Sequence, residues 1–280
     1  MLQQKTSLNV KGRLIDLSVP QVMGILNITP DSFFDGGQHN ALDAALKRTS
    51  EMLEEGAEMI DIGAYSSRPG AADISLQEET DRLLPVLQTL IREFPDLVIS
   101  IDTFRSEVAR MAVAEGAHII NDISGGELDA EMFRTVAELR VPYILMHMKG
   151  TPQTMQQQAR YGNVVNEVLD YFAEKTGQLT GLGVKDIILD PGFGFAKTTE
   201  HNFHLLDKLE TFKILDFPLL AGMSRKGMIW KTLEITPHEA LNGTTVVNTI
   251  ALMKGARILR VHDVKAAVEA VKIVSRLNRQ

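Results

Sequence analysis

The chain has 280 residues and not one cysteine. Disulfides and thiolate metal sites are therefore excluded, and any chemistry must rest on other groups. Positive charge is also scarce: 29 Lys and Arg stand against 36 Asp and Glu, for a formal net charge of -7. No general basic field exists to attract nucleic acid, although that total still permits a local basic pocket for an anionic substrate. No apolar run approaches the length of a membrane span. The opening stretch MLQQKTSLNVKGRLIDLSV is too polar to be the apolar region of a signal peptide. Low-complexity tracts, linkers and strict repeats are lacking too. The expectation is one cytoplasmic domain spanning residues 1–280, with enough Leu, Ile, Val and Ala for a sizeable core.

What is present is an alternation of element types. Leu8 to Val19 alternates around Lys11-Gly12-Arg13 and reads as a β-hairpin. The apolar run Val22–Leu26 reads as a strand buried on both faces, ending at the polar Asn27. A loop from Thr29 to Gly37 follows, with Phe33 and Phe34 beside Asp31 and Asp35. Adjacent aromatics among carboxylates suit either packing beneath a helix or a mobile loop that closes over a ligand. Helical spacing then runs from Leu42 to Leu53, and the pattern of strand, polar tip and helix returns. Later strands are read at Met59–Gly63, Leu97–Ile101, Ala117–Ile120, Tyr143–Met146, Ile187–Leu189, Pro218–Ala221 and Ala256–Leu259. Ser75 with Glu78 reads as a capping box, and one long helix is expected from Pro237 to Lys254. Eight strand–helix units in a chain of this length predict a closed (β/α)8 TIM barrel, with the hairpin across its N-terminal mouth as a plug. A doubly wound open sheet is the weaker alternative, because no G-x-G-x-x-G follows the first strand.

In such a barrel the strand C-termini share one face, where active sites occur. The tips are Asn27, Asp61 with the Ser66-Ser67-Arg68 loop, Asp102, Asn121, His147, Asp190, Ser224-Arg225-Lys226 and Arg260-Val261-His262. Singly, a strand-end Asp is an ordinary helix cap. Together they describe one pocket with two sectors. Asp102, Asn121 and Asp190 form a sector able to read the donor edge of a flat nitrogen heterocycle. The same oxygens also suit a hydrated hard cation. Arg68, Lys226, Arg260 and His262 form a basic sector, with hydroxyls from Ser66 and Ser67. Arg260 and His262 are two apart on a strand and point the same way, which suits a phosphate or pyrophosphate. The alternative is that these cations pair with the acidic tips across the barrel. Phe195, in the flexible Phe193-Gly194-Phe195 segment, either stacks on a planar ligand or packs. Met146, Met148 and Met223 either form a soft wall or belong to the core.

The segments MGILNITPDSFFDGG, SSRPGA, SIDT, IINDISGG, LMHMKGTP, ILDPGFGFAK, AGMSRKGMI and ILRVHDV occur in that order. The series resembles the motifs of the dihydropteroate synthase family over nearly the whole chain, from about Leu8 onward. The resemblance implies condensation of a hydroxymethyl-dihydropterin pyrophosphate with p-aminobenzoate, giving dihydropteroate and pyrophosphate with Mg2+ assisting, and sulfonamides as inhibitors. It implies that Asp102, Asn121, Asp190 and Lys226 bind the pterin, with Met146 and Phe195. It assigns Ser66, Ser67, Arg68, Arg260 and His262 to pyrophosphate, with Asn27 beside them as the Mg2+ ligand. It assigns Ser67, Arg68, Pro69, Phe195, Ser224 and Lys226 to p-aminobenzoate, and catalytic roles to Asp35, Lys226 and Asp102. A homodimer through the outer helices is also implied. The chemistry agrees, since an aromatic amine is already a nucleophile and needs no strong base. Two departures stand out. The family's usual Gly-Gly-Glu-Ser-Thr-Arg-Pro-Gly is Gly63-Ala64-Tyr65-Ser66-Ser67-Arg68-Pro69-Gly70 here, and its commoner FGFGK is FGFAK with Ala196. Two rivals share parts of the pattern: a pterin-binding methyltransferase domain, which would not need Arg260 and His262, and a catalytically silent pterin-binding paralogue.

Overall fold

The computed structural model describes residues 5–28, 38–66 and 73–277. Asp35, Ser67, Arg68 and Pro69, and with them the Thr29–Gly37 loop, lie outside the described residues. Strands β1 (Ser7–Val10) and β2 (Arg13–Asp16) pair antiparallel around Lys11 and Gly12. Eight further strands follow: β3 (Gln21–Asn27), β4 (Met59–Gly63), β5 (Val98–Asp102), β6 (Ile119–Asp122), β7 (Tyr143–Met146), β8 (Ile187–Asp190), β9 (Leu219–Ala221) and β10 (Ala256–Val261). They are all parallel and close in the order β10-β3-β4-β5-β6-β7-β8-β9. Helices α1 (Gln38–Glu54), α2 (Leu76–Glu93), α3 (Ser106–Ala114), α4 (Met132–Leu139), α5 (Val164–Gly181), α6 (Thr199–Asp207), α7 (Gly227–Leu233), α8 (Leu241–Met253) and α9 (Val264–Leu277) form the outer ring. The TIM barrel read from the strand–helix alternation is therefore present.

Period two along each strand makes one set of residues the inside. The lowest interior layer is Met23, Met59, Val98, Ile119, Ile144, Ile188, Leu220 and Ile258, one from each barrel strand. Leu8, Val10 and Leu17 of the hairpin segment pack onto this layer and are 0 %, 3 % and 0 % exposed. The hairpin thus closes the N-terminal end with an apolar seal, as expected. The outward-facing strand residues pack against the helices in a second, larger core.

Two local expectations are corrected. At Ser75 the hydroxyl accepts from the Glu78 N–H at 3.1 Å. The Glu78 carboxylate does not reach back, because it turns one helical turn forward to Arg82. The single helix expected over Pro237–Lys254 is a 3-10 turn, Pro237–Glu239, followed by α8. The Arg225 guanidinium takes the carbonyls of Pro237 and His238, acceptors that a continuous helix would have used. The same reading passed over α7 and the 3-10 segments Met155–Gln158 and Leu209–Leu215.

Leu17→Ala is expected to cost about 2–5 kcal/mol by opening a cavity under the lowest layer. Urea unfolding measures it. A loss below about 0.5 kcal/mol, the range of exposed positions, would mean that the hairpin does not seal the barrel.

Candidate functional site

The next layers of the interior change from apolar to polar. The strand register sets Ile25 beside Asp61, Asp61 beside Ser100, and Asp102 beside Asn121. A cavity of 1340 Å3 opens there, lined by Asn27, Asp102, Asn121, Asp190, Lys226, Arg260 and His262 among others. Ser66, Met146, Phe195 and Ser224 also line it. The described residues of the expected site therefore share one cavity at the C-terminal mouth.

Its centre is a charge cluster. Arg260 donates from Nε to Asp61 Oδ2 at 2.6 Å and from Nη2 to Asp102 Oδ2 at 2.8 Å. Asn121 Nδ2 donates to the same Asp61 oxygen at 2.9 Å. Arg260 is therefore not simply an exposed clamp for an anion. It pairs with acidic tips across the barrel, the alternative that the tip pattern had left open. Burial works against the Arg260 cation, and Asp61 and Asp102 outweigh it. Burial raises the Asp102 carboxyl to about 7, against the pull of Arg260 and with repulsion from Asp61. Asp61 was placed at a tip but given no role, yet it is fully buried. Its Oδ1 has no protein partner among the described residues, so it is an acceptor with capacity for a ligand. The signal was available: a carboxylate at an inward position of an otherwise apolar strand.

Asp190 Oδ1 accepts from the Gly192 N–H at 2.8 Å. Burial raises its pKa, opposed first by Lys226. Gly192 has φ +69°, and a Cβ there would lie 2.0 Å from the His147 carbonyl oxygen, so no side chain fits. Lys226 donates to the Phe193 carbonyl, and its Nζ stands 4.5 Å from the centre of the Phe195 ring. Burial draws Lys226 down to about 8, opposed by Asp190. Acidic edge, ammonium and aromatic ring together make a slot for a flat, nitrogen-rich ligand. Met146 and Met148 pack with Phe195 as the soft wall, whereas Met223 and Phe193 belong to the main core.

His262 and Ser224 stand side by side at the cavity wall. The Ser224 hydroxyl lies 3.1 Å from His262 Nδ1 and accepts from the His262 N–H at 3.2 Å. His147, another tip, does not join the basic sector. Its Nδ1 lies 3.0 Å from Lys197 Nζ, and its ring stands edge-on to Tyr171. Burial, with Lys197 beside it, pushes His147 down to about 2. Lys197, which sequence reasoning passed over, also donates to the His147 and Phe195 carbonyls and so fastens the Phe195 loop to β7. The neighbouring Ala196 has a left-handed φ of +50°, and the Tyr161 hydroxyl holds its carbonyl at 3.0 Å. Tyr65, at the departure beside Ser66, lines the cavity. Its hydroxyl accepts from Gln153 at 3.0 Å, and its ring stands edge-on to Phe104.

Among the described residues no group of three His, Asp or Glu side chains is arranged to hold a metal ion. Asn27 supplies one carboxamide oxygen at the cavity wall. That donor fits Mg2+ held chiefly by a ligand's own oxygens and by water. No helix of the described residues is long and apolar enough to cross a membrane.

Comparison with known proteins gives the same picture. Residues 23–262 match the family described as pterin binding enzyme. The dihydropteroate synthase of Escherichia coli K12 is 47 % identical over 270 residues, covering 94 % of each chain. The fold is similar to that of the Yersinia pestis dihydropteroate synthase in a sulfonamide drug complex, with TM-score 0.92, 43 % identity and coverage of 98 % and 100 %. It is also similar to that of the Xanthomonas albilineans dihydropteroate synthase in complex with 7,8-dihydropteroate, with TM-score 0.87, 37 % identity and coverage of 98 % and 99 %.

Asp102 keeps its proton to higher pH in the folded chain than in the unfolded one, where 3.8 is its ordinary value. Its contribution to stability is therefore fully present below about pH 4 and is lost as pH rises through about 7. Urea midpoints at about pH 5 and about pH 7.5, compared between the parent and Asp102→Asn, isolate this component. The decline should shrink in the variant, and an identical decline would remove the assignment.

Proposed function

The chain belongs to the pterin-binding enzyme family and is a dihydropteroate synthase, and from that premise we propose how its residues divide the work. The observation that carries the reading is the ring of Asp61, Asp102, Asn121 and Asp190 facing Lys226 and Phe195, with Arg260 and His262 beside it. Asp102, Asn121 and Asp190 accept the N–H edge of the pterin, and Met146 and Phe195 cover its faces. Lys226 bonds the pterin from the opposite side. Arg260 and His262 take the pyrophosphate, with Ser66, Ser67 and Arg68. Ser224, Phe195, Lys226, Ser67, Arg68 and Pro69 surround p-aminobenzoate. Asn27 would hold Mg2+ at the cavity wall, and the ion would supply charge neutralisation for the pyrophosphate leaving group.

In the reaction the bond from the pterin methylene carbon to the pyrophosphate oxygen breaks, and the electron pair leaves with pyrophosphate. The methylene cation is stabilised by the electron-rich pterin and by the carboxylates around it. The amine nitrogen of p-aminobenzoate then forms the new C–N bond and loses one proton. Asp35 steadies the cation or receives that proton. Fixed cationic groups suit this path, because negative charge grows on the departing group alone.

A homodimer is part of the proposal. Val246, Ile250 and Met253 on α8 and Ile273 and Leu277 on α9 are exposed, and these two helices pack side by side. An apolar face of this kind suits burial against a second copy. The proposal also keeps the cytoplasm as the compartment, in line with the cysteine-free composition.

The direct experiment incubates the protein with the dihydropterin pyrophosphate, p-aminobenzoate and Mg2+ and measures dihydropteroate. Asp190→Asn is expected to weaken pterin binding by roughly tenfold to a hundredfold, the loss of charge-assisted hydrogen bonds. Asp35→Asn is expected to lower turnover far more than pterin affinity. Calorimetry with the pterin alone separates the two, and unchanged pterin affinity in Asp190→Asn would overturn its assignment.

A further inference from the structure

We propose that Arg225 and Asp263 are a positioning pair that holds the loops after β9 and β10 in register, so that the leaving anion and the incoming amine meet at one carbon. The proposal rests on the synthase reading above. Arg225 lies between Ser224 and Lys226, and Asp263 directly follows His262. The guanidinium donates from Nε to Asp263 Oδ2 and from Nη2 to Asp263 Oδ1, each at 2.8 Å. This is a two-point planar fork, which a lysine cannot reproduce. Its third nitrogen, Nη1, donates to the His238 carbonyl at 3.0 Å and the Pro237 carbonyl at 3.4 Å. All three guanidinium nitrogens and both Asp263 oxygens are thus engaged, and the pair acts through its neighbours.

Those neighbours belong to two different subsites. On the β9 side stand Ser224 and Lys226, and on the β10 side stands His262. Ser224 Oγ and His262 Nδ1 meet at 3.1 Å, a bond that spans the same two loops as the fork. Arg48 of α1 donates to the His262 carbonyl at 2.7 Å, steadying the same residue from the other side. Arg225 itself is held at a left-handed φ of +55°, with its N–H on Thr244 Oγ1 at 3.1 Å. A non-glycine residue persists there because surrounding bonds over-determine it.

The reaction gives this arrangement its purpose. The breaking C–O bond and the forming C–N bond share one carbon. The anion site and the amine site must then be placed to a fraction of an ångström relative to each other. A fork at the junction of the two loops sets that relative placement, whereas each subsite alone sets only its own ligand.

The test uses the full-length protein with Arg225→Lys, Asp263→Asn and the double variant. Each is assayed for dihydropteroate formation, pyrophosphate affinity, thermal midpoint and the 15N signal of the His262 imidazole, assigned by its loss in His262→Gln. A positioning role predicts kcat lower by on the order of tenfold to a hundredfold, a raised KM for p-aminobenzoate and a displaced His262 signal. The double variant should lose no more than the worse single variant, since both break one fork. A lowered thermal midpoint with parental kinetic constants and His262 signal would overturn the proposal and leave a purely structural ion pair. If the parent protein forms no dihydropteroate, the synthase reading fails by itself. The pyrophosphate affinity and the His262 signal still test the fork in that case.

Discussion

Two buried carboxylates around one guanidinium are the constraint on which the mouth of this barrel depends. Asp61 and Asp102 lie on adjacent strands, and their charges would repel in a site shielded from water. Arg260, reaching across from the last strand, lets both persist. Removing one partner of such a group leaves an uncompensated buried charge, which is far more harmful than never having built the pair. The cluster therefore ties the first half of the barrel to its final strand. It also leaves the binding surface rich in acceptors, with Asp61 Oδ1 without a protein partner among the described residues and the Asp102 carboxyl raised by burial.

Much of this was legible because a barrel strand obeys a simple rule. Residues alternate in and out, and all eight parallel strands end on one face. Reading the last polar residue of each apolar run therefore brought Asn27, Asp102, Asn121, Asp190 and Arg260 to one cavity. Alternation also separates Asn121, which lines that cavity, from Asp122. The latter is fully buried, bonded to Tyr143 and Ser124, and serves the loop instead.

The parts that stayed hidden are pairings between distant segments. Nothing near Arg260 in the chain says that its partners are Asp61 and Asp102. Nothing near Lys197 says that a buried ammonium there will fasten the Phe195 loop to His147. The break before α8 was hidden for the same reason. Periodicity saw one apolar stripe from Pro237 onward, while a guanidinium twelve residues upstream of Pro237 captured the carbonyls that would have continued the helix. His147 shows the converse. Its position at a strand tip suggested a ligand group, but its surroundings of Tyr171, Tyr161 and Lys197 make it a neutral packing residue.

The hairpin seal at the lower end has a consequence for traffic. With Leu8, Val10 and Leu17 closing the base, the vessel is blind-ended. Two substrates arrive and two products depart through one doorway. Queueing is then a matter of depth, and whichever molecule sits against the carboxylate floor must be first in and last out. A tight grip on the pterin ring would slow every turnover, because no back exit relieves it. Of the carboxylates on that floor, Asp102, which burial raises toward neutrality, is the one whose grip changes with its proton.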